Sequence, residues 1–174
     1  MILIGIGANL NSPEFGSPRD TCNAAVRELE TAGVAIVRRS SWFKSAPVPV
    51  SDQPWFINGV VAIETSLTPS KLLTVLQATE DRFGRVRTAK NAARTLDLDL
   101  LAYGELVVGW DDEGDTDLVM PHPRMNERAF VLLPLQEIAP NWRHPVLNVS
   151  LEKMIAGLDP GQQTLIDCAS NKKP

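Results

Sequence analysis

The chain has 174 residues, of which 44% are hydrophobic and 22% are charged, and its formal net charge is −4. These values are ordinary for a soluble globular protein and exclude the disordered and collagen-like classes. The acidic balance also argues against a general nucleic-acid or membrane-surface binder, because such proteins need a broadly basic surface.

The first third of the chain predicts a strand, a helix and a second strand. Residues 2–8 are a short apolar run typical of a buried strand, and residues 17–32 repeat apolar side chains at helical spacing before Gly33. Residues 34–44 have the composition of a strand. Three prolines within residues 45–54 then predict a loop.

The next segments suggest a fold class. Residues 57–67 are rich in Val, Ile and Thr and predict a third strand, and residues 68–84 predict a helix with Pro69 in its first turn. After a basic connection, residues 96–103 predict another strand. This order indicates an α+β fold of the ferredoxin-like type, an antiparallel sheet with helices on one face. We expect residues 1–174 to form a single domain.

The remaining segments are less regular. The acidic residues 111–115 are typical of a solvated hairpin tip, since the further ligand spacing of a calcium loop is missing. Residues 125–138 have a helical pattern, which Pro134 should break or kink. Residues 150–157 predict a short helix whose N-cap is Ser150.

The segment 94–100, Arg-Thr-Leu-Asp-Leu-Asp-Leu, is the most informative part of the sequence. Because a strand has a period of two, Asp97 and Asp99 share one face, with their Cα atoms about 6.6 Å apart. Such a pair can bind one or two divalent cations, and hard oxygen ligands suit magnesium on a nucleotide phosphate. The alternative is an exposed strand face that carries two aspartates, although Asp is depleted in strands.

A cluster of cations precedes these aspartates. Between Asp81 and Asp97 the chain has no acidic residue. A solvated basic loop would explain each cation singly, but a basic loop that leads into paired aspartates is the arrangement expected for phosphoryl transfer. The cations are Arg82, Arg85, Arg87, Lys90 and Arg94.

Common nucleotide-binding signatures are missing from the sequence. There is no Walker-type phosphate loop, and the segment from Gly5 to Leu10 has Leu10 where a dinucleotide fingerprint needs its third glycine. His122 lies between two prolines in a rigid turn. It could present an imidazole to a phosphate or be a structural loop histidine.

Together the motifs resemble one family, the 6-hydroxymethyl-7,8-dihydropterin pyrophosphokinases, which transfer pyrophosphate from ATP to a pterin alcohol in folate biosynthesis. The resemblance covers a core of about residues 2–140 and leaves 141–174 as a C-terminal extension. The motifs are Gly7-Ala8-Asn9-Leu10, Asp52-Gln53-Pro54 with Asn58, Gly84-Arg85-Val86-Arg87, the segment 94–99, and Pro121-His122 through Arg128-Ala129-Phe130.

The resemblance implies roles on the nucleotide side. Asp97 and Asp99 would hold two magnesium ions between the ATP phosphates and the pterin hydroxyl. Arg85 and Arg94 would act with these aspartates in catalysis. The side chains implied to bind ATP are Gln77, Glu80, Arg85, Arg87, Arg94, His122 and Arg128.

The resemblance also implies a pterin pocket. Phe56 and Phe130 would sandwich the flat ring, and Asn58 would bind its polar edge. Backbone groups of Ser45, Ala46 and Val48 would complete this pocket.

Two other functions could use the same residues. A two-metal nucleotidyltransferase or nuclease would need a longer basic track than residues 82–94 provide. A non-catalytic ferredoxin-like binding module would consume no ATP.

The rest of the sequence bears on location and partners. Cys22 and Cys168 make neither a metal-ligand spacing nor a disulfide framework, and residues 1–7 lack the basic start of a secretory signal. We therefore expect a cytoplasmic enzyme acting on two small molecules, ATP and a hydroxymethyl-dihydropterin. No nucleic-acid or membrane partner is expected, and no oligomer is required.

Overall fold

A six-stranded antiparallel sheet forms the middle of the protein. The structure is a computed structural model, and it describes residues 1–86, 92–110 and 118–168. The strands are β1 (Ile2–Ala8), β2 (Ala35–Arg39), β3 (Phe43–Ser45), β4 (Phe56–Glu64), β5 (Asp97–Tyr103) and β6 (Thr164–Ile166). The helices are α1 (Pro18–Thr31), α2 (Pro69–Arg82), α3 (Ala129–Ile138) and α4 (Leu151–Ala156), and a 3₁₀ turn spans Met125–Glu127.

The long strand β4 organises the sheet. The strand order is β5-β1-β4-β3-β6, and β2 also pairs with β4. The beginning of β4 pairs with β3, and the end of β4 pairs with β2. On the opposite edge of β4, all seven residues of β1 pair with it. Strand β1 therefore lies between β4 and β5, and β5 forms one edge of this order.

Helices cover both faces of the sheet. On one face, Leu29 of α1 and Leu72 of α2 pack against Leu98 of β5 in one apolar core. On the other face, Leu132 of α3 belongs to a second core together with Leu101 of β5. The predicted α+β class is confirmed. The expected packing of helices on one face holds for α1 and α2, whereas α3 and α4 both lie on the opposite face.

The predicted starts of α1, α2 and α4 agree with the structure, where a capping side chain begins each helix. The helix predicted from residue 125 instead begins at Ala129, after the 3₁₀ turn of Met125–Glu127. The side chains of Ser17, Thr68 and Ser150 each accept a hydrogen bond from a backbone N–H in the first turn of α1, α2 and α4. The first strand, 2–8, has the predicted bounds.

Three segments differ from the prediction. Residues 34–44 form two strands, because the Ser40 hydroxyl binds the backbone N–H of Val60 and Trp42 packs tightly against Gly59. A side chain at Gly59 would lie 2.7 Å from the Trp42 ring. Of the break or kink expected at Pro134, a break does not occur, since α3 continues through this buried proline. Strand β6 was not predicted, and the acidic segment 111–115 lies outside the described residues.

Candidate active site

The two aspartates of β5 lie on the face that α3 covers. Asp97 is opposite Gly7 of β1, and Asp99 is opposite Gly5. The intervening Leu98 is buried on the other face, so the predicted alternation is confirmed. A Cβ atom at Gly7 would lie 3.0 Å from the side-chain oxygen of Asn58. The absence of a side chain at Gly7 therefore leaves room for the side chains of Asn58 and Asp97.

A cavity of about 560 Å³ opens above these aspartates. The structure brings together most of the residues that the sequence predicted for the two substrates. Those that line the cavity are Ser45, Ala46, Val48, Phe56, Asn58, Arg85, Arg94, Asp97, Asp99, His122, Arg128 and Phe130.

One part of the cavity suits a flat, polar-edged ring. Phe56 and Phe130 line it with Asn58, whose amide nitrogen donates a 2.8 Å hydrogen bond to the Ser45 hydroxyl. This bond fixes the plane of the amide. The guanidinium carbon of Arg94 lies 5.7 Å from the centre of the Phe56 ring, and that of Arg128 lies 5.4 Å from the Phe130 ring. Each aromatic ring is thus in contact with an arginine.

The arginines of the cavity pair with its carboxylates. Arg85 binds one oxygen of Asp97, and Arg94 donates to the other at 2.8 Å. The Arg128 guanidinium lies 3.9 Å from Asp99. Burial lowers the pKa of Arg85, but the carboxylates of Asp97 and Glu80 outweigh it and the net pKa is raised. The Arg85 guanidinium is therefore held in the cavity as a fixed positive charge.

Glu80 lies beneath the site and does not line the cavity. Its carboxylate is buried and accepts hydrogen bonds from Arg85 and, at 2.7 Å, from the backbone N–H of Leu98. It thereby ties α2 to β5 between the two aspartates. Gln77 is exposed on α2 and the structure does not bring it to the cavity. Arg87 lies outside the described residues.

The charged form of Asp99 is disfavoured in the cavity. Burial and then the neighbouring Asp97 carboxylate raise the pKa of Asp99 from 3.8 to about 6. A bound cation would remove this repulsion, and two carboxylates on one face supply hard oxygen ligands. The donor set therefore fits magnesium, although no group of three or more His, Cys, Asp or Glu side chains gathers into a metal site within the described ranges.

His122 is a neutral hydrogen-bond donor. Burial, and after it the charges of Arg128 and Arg124, lower its pKa to about 4. Its Nδ1 atom accepts a 3.1 Å hydrogen bond from the backbone N–H of Arg124. At neutral pH the ring proton is therefore on Nε2, where it can be donated.

Arg124 also lines the cavity, and the sequence reasoning missed it. Its side chain is exposed, and no ion pair to a carboxylate is recorded for it within the described part of the chain. The signal was its position two residues after His122, on the same turn. Gln53, Ala92 and Ala93 are further lining residues that carried no predicted role.

Comparison with known proteins identifies relatives of this chain. The model of the 7,8-dihydro-6-hydroxymethylpterin-pyrophosphokinase family matches residues 3–140. A 2-amino-4-hydroxy-6-hydroxymethyldihydropteridine pyrophosphokinase from Synechocystis is 39% identical over 158 residues, which cover 90% of this chain and 75% of that protein. A protein of the same name from Methylorubrum extorquens is also 39% identical, over 90% of this chain and 92% of its own length.

A solved structure has the same fold. The crystal structure of a Plasmodium falciparum HPPK-DHPS triple mutant aligns with a TM-score of 0.68 and 13% identity. The alignment covers 90% of this chain but 44% of the longer chain, so this protein spans less than half of that one.

Proposed function

The chain belongs to the 7,8-dihydro-6-hydroxymethylpterin-pyrophosphokinase family, and we propose that the cavity above Asp97 and Asp99 is where its reaction takes place. The reaction transfers pyrophosphate from ATP to the hydroxymethyl group of 6-hydroxymethyl-7,8-dihydropterin, in folate biosynthesis. Family membership decides against the two alternatives, a two-metal nucleotidyltransferase or nuclease and a non-catalytic binding module.

The observation that carries the proposal is the meeting of two kinds of surface in one cavity. Arginines and paired carboxylates, suited to a triphosphate, stand next to Phe56, Asn58 and Phe130, suited to a pterin. The pterin hydroxymethyl oxygen attacks the β-phosphorus of ATP in line, the bond from that phosphorus to the α,β-bridging oxygen breaks, and AMP leaves. The hydroxyl proton is lost to solvent. The rate then depends on positioning and on neutralising phosphate charge.

Asp97 and Asp99 are the residues that would hold magnesium. Two ions are expected, and bound magnesium would neutralise phosphate charge and orient the two reacting oxygens. The protein groups have separate tasks. Arg85, Arg94 and Arg128 exchange part of their pairing with the aspartates for pairing with phosphate oxygens. His122 donates from Nε2 to a phosphate oxygen without adding a charge.

The remaining predictions concern location and assembly. Among residues 1–86, 92–110 and 118–168, no helix is long and apolar enough to cross a membrane. That the reaction needs no second subunit and that it takes place in the cytoplasm stay predictions from the sequence.

One incubation tests the proposed site. The protein is mixed with ATP, magnesium and 6-hydroxymethyl-7,8-dihydropterin, and AMP is measured with and without the pterin. We expect AMP only when the pterin is present, and we expect the Asp97→Asn variant to form at least a thousandfold less. AMP formed equally without the pterin, or a fully active Asp97→Asn variant, would contradict the proposal.

A further inference from the structure

Asn9 is a buried polar residue that lies at the end of β1, and the functions proposed above give it no role. The residue is 2% exposed. It belongs to the Gly-Ala-Asn-Leu motif, but Asn9 does not line the cavity. A buried amide needs partners for each of its polar groups, and those partners indicate what the residue does.

On one side, Asn9 holds the backbone of Arg94. The side-chain oxygen of Asn9 accepts a 2.8 Å hydrogen bond from the Arg94 N–H. The Arg94 carbonyl in turn accepts hydrogen bonds from the backbone N–H groups of Asn9 and Leu10, at 3.1 and 3.2 Å. Both polar backbone groups of Arg94 are therefore fixed by the end of β1.

On the other side, Asn9 holds the loop that precedes Phe56. Its amide nitrogen donates to the Pro54 carbonyl at 3.1 Å and to the side-chain oxygen of Gln53 at 3.3 Å. Gln53 lines the cavity, and β4 begins at Phe56, two residues after Pro54. One buried amide thus joins Arg94, which pairs with Asp97, to the loop that leads into Phe56.

The Arg94 side chain makes the same connection within the cavity. Its guanidinium group pairs with Asp97 at 2.8 Å and lies 5.7 Å from the centre of the Phe56 ring. A phosphate that draws the Arg94 guanidinium away from Asp97 would also change its contact with the Phe56 ring. The backbone of Arg94 must stay in place for that movement to be reproducible.

We infer that Asn9 is a positioning residue that couples the two substrate sites, so that a bound nucleotide prepares the pterin site through Arg94 and the 53–54 loop. This inference rests on the proposed function, because it takes the two walls of the cavity as the nucleotide and pterin sites. It predicts that loss of Asn9 weakens the cooperation between substrates more than the binding of either one alone.

The test measures pterin binding with and without a bound nucleotide. Fluorescence titration gives the Kd of 6-hydroxymethyl-7,8-dihydropterin for the protein alone and for the protein saturated with magnesium and an ATP analogue that has a methylene between its α and β phosphorus atoms. The ratio of the two constants is the coupling factor, and it is the same for either order of addition.

Two substitutions at Asn9 divide its contacts. Asn9→Asp keeps an acceptor for the Arg94 N–H but loses both donors to the 53–54 loop, whereas Asn9→Ala loses all side-chain bonds. We expect the coupling factor to fall about tenfold in Asn9→Ala, the effect of one or two buried hydrogen bonds, and the nucleotide Kd alone to change by a smaller factor, because Arg85 and Arg128 stay in place. Asn9→Asp should lose at least as much coupling as Asn9→Ala, and the loss should appear in pterin binding, because its second carboxylate oxygen would face the Pro54 carbonyl instead of donating to it.

Ser40→Ala is the matched control. It removes a buried hydroxyl that binds Val60 and the Ser41 carbonyl, neither of which lines the cavity. It should lower the melting temperature as an Asn9 substitution does but leave the coupling factor unchanged.

The outcomes are distinguishable. An unchanged coupling factor in Asn9→Ala, an equal loss in Ser40→Ala, or no coupling in the unmodified protein would each overturn the role of Asn9. Failure of the unmodified protein to form AMP with ATP and the pterin would instead contradict the proposed function.

Discussion

Glu80 could have either of two roles, a contact with the nucleotide or a buried anchor within the fold. The sequence placed it on the nucleotide side of the site, whereas the structure buries it between α2 and β5. A residue that only contacts a nucleotide contributes little to stability before the nucleotide binds. A buried anchor should stabilise the ligand-free protein, and this difference can be measured with Glu80→Gln.

The expected magnitude follows from the contacts of Glu80. Removing one partner of a buried ion pair costs about 3–5 kcal/mol. Arg85 keeps Asp97 as a partner, and the oxygen of a glutamine can still accept from the Leu98 N–H. We therefore expect Glu80→Gln to lose about 2 kcal/mol of unfolding free energy, and Glu80→Ala, which also loses the Leu98 bond, about 4 kcal/mol.

The assay is urea denaturation of the ligand-free protein. Gln77→Ala is the matched control, because Gln77 is exposed one turn earlier on α2 and should change the free energy by less than about 0.5 kcal/mol. Both Glu80 variants should also raise the KM for ATP through a misplaced Arg85. A Glu80→Gln variant as stable as the Gln77→Ala control would refute the anchoring role.

Three further substitutions test the electrostatics of the cavity. Asp99→Asn should reduce turnover by several orders of magnitude and yet stabilise the magnesium-free protein at pH 8. A pKa raised from 3.8 to about 6 corresponds to a destabilisation of about 3 kcal/mol by the charged carboxylate. Because 36% of the Asp99 side chain is exposed, we expect removal of this charge to recover about 1 kcal/mol. This gain should vanish below pH 4, where Asp99 is protonated in both states, and a variant less stable than the unmodified protein at pH 8 would contradict it. Because the pKa of His122 falls from 6.5 to about 4 on folding, its contribution to stability is complete above pH 6.5 and is lost as the pH falls toward 4. His122→Gln should therefore flatten the decline in denaturation midpoint between pH 6.5 and 4.5, and an unchanged slope would count against a buried neutral ring. Arg124→Met should raise the KM for ATP about tenfold and leave the pterin Kd unchanged, whereas Arg27→Met on α1 should change neither; equal effects of the two would show that Arg124 does not meet the nucleotide.

The fold class and the strand that carries the two aspartates could be predicted because local patterns determine them. The alternation of leucine and aspartate in β5 is a property of the strand alone, and each capping side chain acts within one helical turn. The split of residues 34–44 could not be predicted in this way. It depends on Ser40 and Trp42 meeting Val60 and Gly59, which lie on a strand distant in sequence.

The roles of single residues within the site were harder to predict for the same reason. The position of Glu80 on α2 shows that it can face β5, but only the packing of the two elements shows that it lies beneath the cavity. Arg124 was missed although it follows His122 by two residues on the same turn, and the Gly-Ala-Asn-Leu motif does not show which groups Asn9 binds. The role of Asn9 comes from partners that the fold brings together, namely Gln53 and Arg94.

The most direct measurement follows the bond that breaks. ATP labelled with ¹⁸O at the oxygen bridging its α and β phosphorus atoms is incubated with the protein, magnesium and 6-hydroxymethyl-7,8-dihydropterin, and the products are separated and weighed by mass spectrometry. Attack of the pterin hydroxyl on the β-phosphorus places the label in AMP and yields a pterin diphosphate without it. Label in free pyrophosphate together with a pterin adenylate would show attack at the α-phosphorus and would contradict pyrophosphoryl transfer.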